Sequence, residues 1–128
     1  EPDYYGRLTL DDINSQLMQR GQQLGLKVDV YQSNHEGDII TRIQEMIGEY
    51  NGLIINPAAF THTSVAIRDA ILLLDMPVIE IHLSNIYKRE SFRHHSMLAD
   101  IVDGQISGLG FRGYTLALEA ISDIISEN

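Results

Sequence analysis

An α/β fold built on a parallel sheet is what this sequence predicts, and three observations carry the reading. Two short apolar runs, Gly52-Leu53-Ile54-Ile55 and Pro77-Val78-Ile79-Glu80-Ile81, have the length and composition of strands buried on both faces. Segments of helical periodicity alternate with extended ones along the chain, as parallel strands joined by right-handed crossovers require. Polar side chains gather directly after both runs: Asn56, Thr61, His62 and Ser64 after the first, His82, Ser84, Asn85, Arg89 and Arg93 after the second. Such groups mark the carboxyl edge of a sheet, where open α/β folds bind ligands.

Each element has its own signal. Thr9-Leu10-Asp11-Asp12 has the form of a capping box, Ile13, Leu17 and Leu24 make the apolar stripe of the helix it opens, and Gly25 is a natural stop. Residues 27–33 alternate, with Val28 and Val30 on one side, and read as a strand. Residues 38–49 place Ile39, Ile40, Ile43, Met46 and Ile47 at helical spacing. Then follow a strand at 53–56, a helix at 63–74, a strand at 77–83 and a short helical segment at 92–99. A glycine-rich last strand and turn occupy 104–110, and a helix over 114–125 closes the chain.

One element is missing from this series. Residues 1–6 have loop composition and lead straight into a helix, whereas a doubly wound domain opens with a strand. In the flavodoxin-like strand order 2-1-3-4-5 the first strand lies inside the sheet, so its loss would leave unpaired backbone groups on both neighbours. A strand of about 5–6 residues with a connecting loop is therefore expected ahead of Glu1. Residues 1–128 read as a single flavodoxin-like domain lacking that strand.

Composition excludes several functions. A net charge of −9 argues against nucleic acid, which needs a basic footprint. No apolar stretch approaches the roughly 20 residues that span a bilayer, and no signal-peptide pattern opens the chain. The absence of cysteine removes disulfides and thiolate chemistry and fits a cytoplasmic setting. Charge is also unevenly placed. Between His82 and His95 stand Lys88, Arg89 and Arg93 with three histidines, against one acid, Glu90. This segment suits a small anion, although an ordinary basic loop has the same composition.

Glu80 and His82 are two apart on a predicted strand, so both side chains share one face. A carboxylate beside an imidazole fixes its tautomer and favours the protonated ring, which suits a general acid. A glutamate inside an apolar strand is costly without such a partner. His62 also fits a satisfied loop histidine, and Asp69 a solvated helix charge. Neighbouring His94 and His95 point in different directions on a helix, so no metal site is expected. Residues 34–37 end a strand and could brace the site or an interface. Gly108-Leu109-Gly110-Phe111-Arg112-Gly113 matches G-x-G-x-x-G, but at the last strand and with no acidic residue about 20 positions on. These glycines read as allowing close helix–strand packing.

Longer motifs carry a resemblance. Residues 56–69, Glu80-Ile81-His82-Leu83-Ser84-Asn85 and residues 89–96 strongly resemble type II 3-dehydroquinate dehydratase. Residues 1–6, 32–37 and 108–114 match as well, so the likeness runs from the first residue to the closing helix. The resemblance implies a lyase that converts 3-dehydroquinate to 3-dehydroshikimate by anti elimination through an enolate, without metal, cofactor or lysine Schiff base. By motif position it makes Tyr5 the base at C2 and His82 the acid for the departing C1 hydroxyl. Asn56, His62, Asp69, the Leu83-Ser84 backbone and Arg93 would hold the substrate, and Arg89 would help keep Tyr5 ionised. Ionising a tyrosine near pH 7 from its reference pKa of about 10 costs roughly 4 kcal/mol, so desolvated cations are needed. Without the resemblance, Tyr5 reads as a loop residue packing its ring.

The family also carries an Asn-Gly-Pro-Asn stretch after the first strand and an arginine just before the Glu-Pro, and neither stands in this sequence. A cleaved or omitted amino-terminal segment is the corresponding expectation, with the cleaved peptide as a candidate partner. The resemblance further implies a homo-oligomer, a dodecamer built from trimers, in which Asp69 reaches a neighbouring subunit's site. Two other readings stay open: a flavodoxin-like domain binding a nucleotide or flavin, and a non-catalytic assembly module.

Overall fold

In the computed structural model, which describes residues 9–127, Thr9 opens the first helix through a reciprocal pair of hydrogen bonds. Its Oγ1 accepts the Asp12 amide at 3.1 Å, and the Asp12 carboxylate accepts the Thr9 amide at 3.0 Å. Helix α1 (Leu10–Gln23) ends at Gly25 in the left-handed region (φ 74°), with the Leu26 amide donating to the Gly21 carbonyl at 2.7 Å. Then come α2 (Glu36–Glu45), β1 (Leu53–Ile55), α3 (Val65–Leu72), β2 (Val78–His82), β3 (Gly104–Ser107) and α4 (Arg112–Ser126). Short 3-10 turns lie at Ala58–His62, Ile86–Lys88 and Ser91–Arg93.

The three described strands are parallel, in the order β1-β2-β3. This matches the last three places of the order 2-1-3-4-5. Ile55 stands opposite Glu80, and His82 opposite Ser107. Side-chain alternation along β2 sends Val78 into a cluster with Ile43, Ile55, Ile67, Ala70, Ile71 and Leu98, beneath α2 and α3. Ile79 and Ile81 pack on the opposite side, against Ala117 and Ile121 of α4. Ile13 and Leu17 of α1 meet Leu118 on that same side. Helices thus cover both faces, which is the doubly wound arrangement. Full burial of each such aliphatic side chain stabilises by about 1.5–3 kcal/mol.

Two expected elements take another form. Residues 27–33 make no ladder with any described strand. Val28 packs inward with Leu24 and Leu26, whereas Val30 is 38% exposed. A strand needs a partner, and in the expected order this segment pairs only with strand 1. Gly21 makes room for the inward turn, since a Cβ there would lie 2.5 Å from Cγ2 of Val28. Residues 92–99 form no α-helix either; Ser91–Arg93 is a 3-10 turn and the rest is irregular. Their amides are used elsewhere. The Met97 N–H donates to the Thr61 carbonyl at 2.8 Å, and the amides of Leu98 and Ala99 donate to Ser96 Oγ at 3.0 and 3.2 Å.

Candidate active site

β2 delivers the central pair. Because Glu80 and His82 alternate with Ile79 and Ile81, both leave the strand on the side of α2 and α3. Glu80 is 0% exposed and His82 6%. His82 Nε2 donates to Glu80 Oε2 at 2.5 Å. The same oxygen accepts the hydroxyl of Ser96 at 2.7 Å, a residue itself buried. Oε1 of Glu80 and Oγ1 of the buried Thr61 have no hydrogen-bond partner among the described residues. One carboxylate oxygen therefore takes two donors, and among the described residues no hydrogen bond is recorded for Nδ1 of His82. A buried acid and imidazole in contact have the geometry that proton transfer requires.

Asn56 follows β1 and is anchored twice. Its Oδ1 accepts the Ala58 amide at 3.1 Å, and its Nδ2 donates to the Tyr114 hydroxyl at 3.2 Å. The first bond supports Ala58 in the left-handed region (φ 51°), a conformation that costs an alanine about 1 kcal/mol. Burial pushes the Tyr114 hydroxyl above its ordinary pKa, partly offset by the Asn56 hydrogen bond. Tyr114 thus stays neutral and presents a fixed oxygen to Asn56.

After β2 the chain folds into a cationic arm. Arg89 Nη1 donates to Ser84 Oγ at 3.2 Å, and Ser107 Oγ donates to the Ser84 carbonyl at 3.3 Å. The Leu83 carbonyl accepts the Gly110 amide at 2.9 Å, which ties the turn after β3 to the end of β2. A Cβ on Gly108 would stand 3.1 Å from that of Asn85, and Gly108 has φ 90°. The G-x-G-x-x-G stretch accordingly serves close packing beside the Leu83-Ser84 turn. Glu90 lies between the arginines, accepting from Arg93 Nε at 3.0 Å with Arg89 Nε at 3.8 Å. Its own backbone amide, then Arg93 and Arg89, hold the Glu90 carboxyl below its ordinary range.

His62 ends the 3-10 turn after β1, and its Nδ1 donates to the His95 carbonyl at 2.8 Å. His94 Nε2 donates to the Arg89 carbonyl at 3.0 Å. Arg68 on α3 fastens the same loop. It donates to the Met97 carbonyl at 2.8 Å and forms a two-pronged pair with Asp100 at 2.5 and 3.1 Å. That guanidinium holds the Asp100 carboxyl below its usual value. Arg68, Tyr87, His94, His95 and Ser96 line a cleft of about 440 Å³, which meets the buried trio only through Ser96.

The structure therefore gathers Glu80 with His82 and Ser84 with Arg89, and sets Asn56 and His62 at the neighbouring strand end. Asp69 lies exposed on α3 and makes no hydrogen bond to these residues. Tyr5 falls outside the described residues. Ser96, Ser107 and Tyr114 were not singled out from the sequence. Ser96 and Tyr114 did lie within the motif stretches 89–96 and 108–114.

Comparison with known proteins agrees with this geometry. The family model described as dehydroquinase class II matches residues 1–122. A 3-dehydroquinate dehydratase of Francisella tularensis subsp. novicida is 57% identical over 97% of this chain and 85% of its own length. Its counterpart in Acaryochloris marina is 54% identical over 94% and 81%. The crystal structure of a type II dehydroquinase from Propionibacterium acnes superposes with a TM-score of 0.91 at 43% identity, covering 96% of this chain and 85% of that one. A shared fold, a matched family model and identity above half over nearly the whole chain lead to one conclusion: this chain belongs to the class II dehydroquinase family.

Proposed function

We propose that this chain is a lyase that dehydrates 3-dehydroquinate to 3-dehydroshikimate, in aromatic biosynthesis or quinate breakdown. The observation that carries the reading is the buried contact between Glu80 Oε2 and His82 Nε2 at 2.5 Å, at the carboxyl end of β2. The names of the related enzymes support the substrate. In the first step Tyr5, as phenolate, takes the C2 proton and the electrons move into an enolate. In the second, His82 protonates the C1 hydroxyl on the opposite side and water leaves. Asn56, His62, the Leu83-Ser84 backbone and Arg93 hold the ring and carboxylate, while Arg89 favours the ionised form of Tyr5. Asp69, exposed on α3, reaches the site of an adjoining copy in an assembly of trimers, a dodecamer.

Formation of the conjugated enone gives an ultraviolet absorbance that follows the reaction directly. Both Tyr5→Phe and His82→Ala are expected to lower kcat by at least about 10²–10⁴-fold, the contribution typical of a positioned acid or base. Activity that survived both changes would remove these roles.

A further inference from the structure

We propose that Ser96 is a positioning residue that locks the acid: by fixing Glu80 Oε2 as an acceptor it keeps one proton on Nε2 of His82, so that the imidazolium gives up its other proton, from Nδ1, to the departing hydroxyl and returns to the Nε2–H neutral ring. A serine hydroxyl has one proton to give and two lone pairs to receive. Both receiving positions of Ser96 are taken, by the amides of Leu98 at 3.0 Å and Ala99 at 3.2 Å. Its proton accordingly goes to Glu80 Oε2, at 2.7 Å. That oxygen also meets His82 Nε2 at 2.5 Å. A second donor on one carboxylate oxygen stabilises its charge and disfavours transfer of the imidazole proton to it.

The hydroxyl cannot drift from this task. Met97 is held on one side by the Thr61 carbonyl and on the other by Arg68, each at 2.8 Å. Ser96, Glu80 and His82 are all buried, so water does not compete freely for the same oxygen. The irregular path of residues 94–100 then has a reason: a continuous helix would spend the amides of Leu98 and Ala99 on its own carbonyls and free the Ser96 hydroxyl to rotate.

This inference rests on the general-acid role of His82 proposed above, and the test separates the two. In the full chain labelled with ¹⁵N-histidine, NMR of the neutral ring of His82 should show the proton on Nε2. A proton on Nδ1 in the unmodified protein would overturn the proposal without any variant. Ser96→Ala should mix the tautomers and lower kcat about tenfold while KM stays within twofold; the near-isosteric Ser96→Cys, a weak donor, should fall between. In a Glu80→Ala background Ser96→Ala should add less than twofold. Unchanged tautomer and kcat in Ser96→Ala, or a full tenfold loss in the absence of Glu80, would show that Ser96 does not act through the carboxylate. Absence of enone formation by the unmodified chain would instead sink the reaction assigned to it, leaving the tautomer measurement to judge Ser96.

Discussion

The trio at the end of β2 and the arginine arm that follows it are built on opposite terms. Glu80, His82 and Ser96 are 0%, 6% and 7% exposed, and their hydrogen bonds run between residues far apart in sequence or across a strand pleat. Arg89, Glu90 and Arg93 are neighbours in sequence and half-exposed, with the Glu90 carboxylate between the two guanidinium groups. The trio is preorganised because moving any member would strand a buried polar group, at roughly 1–3 kcal/mol or more for a charge. The arm holds its cations ready through an internal acid that solvent can reach, so a bound carboxylate can take Arg93 from Glu90 at modest cost. Chemistry is assigned to the rigid region and substrate capture to the adaptable one.

The sharpest break of this contrast is Glu80→Ala. It leaves His82 with no partner for Nε2 and should lower kcat by about 10²–10³-fold with little change in KM; a large KM effect with kcat preserved would reverse the division of labour. Next comes Arg93→Ala, which should raise KM by about tenfold or more, the worth of a hydrogen bond to a charged group, while kcat falls much less. Steady-state kinetics on the two variants decides between the regions.

Acid sharpens the comparison. Below the ordinary values of 4.5 for Glu90 and 3.8 for Asp100, both carboxyls are still ionised in the folded chain. Because the folded values are depressed, the ion pairs are complete above the ordinary values and vanish as pH falls through the lower folded ones. Carboxyl-carbon NMR titration should therefore find both midpoints below those figures, and KM should not rise between pH 7 and 5 from loss of the arm. Midpoints at or above the ordinary values would mean the pairs do not persist in solution. The smallest effect belongs to Ala58→Gly. It relieves the left-handed alanine, but the freer unfolded chain offsets the gain, so stability should change by less than about 1 kcal/mol with activity retained.

What was legible in the sequence divides along the same line. Glu80 and His82 could be placed together because strand alternation is a local rule, and Gly25 could be named as a stop because helices favour glycine just past their end, where its φ is indeed 74°. The capping box at Thr9 needed only four residues. Ser96 carried no local signal: its role comes from a carboxylate 16 residues earlier and from amides diverted out of a helix. Residues 27–33 show the converse. Their alternating pattern is real, yet pattern alone makes no ladder. The Asn56–Tyr114 contact joins residues 58 apart and could be anticipated only through the shared motifs.

Along β2 the even positions Glu80 and His82 form the buried polar pair to which the proposed chemistry is assigned, while the odd positions Ile79 and Ile81 pack against α4. One five-residue segment is thus answerable to two separate selective demands, interleaved with a beat of two. Saturation mutagenesis should record that rhythm, with aliphatic exchange accepted at 79 and 81 and almost nothing accepted at 80 and 82. Lineages can then retune thermal tolerance beneath the catalytic pair without touching it, one carbon at a time.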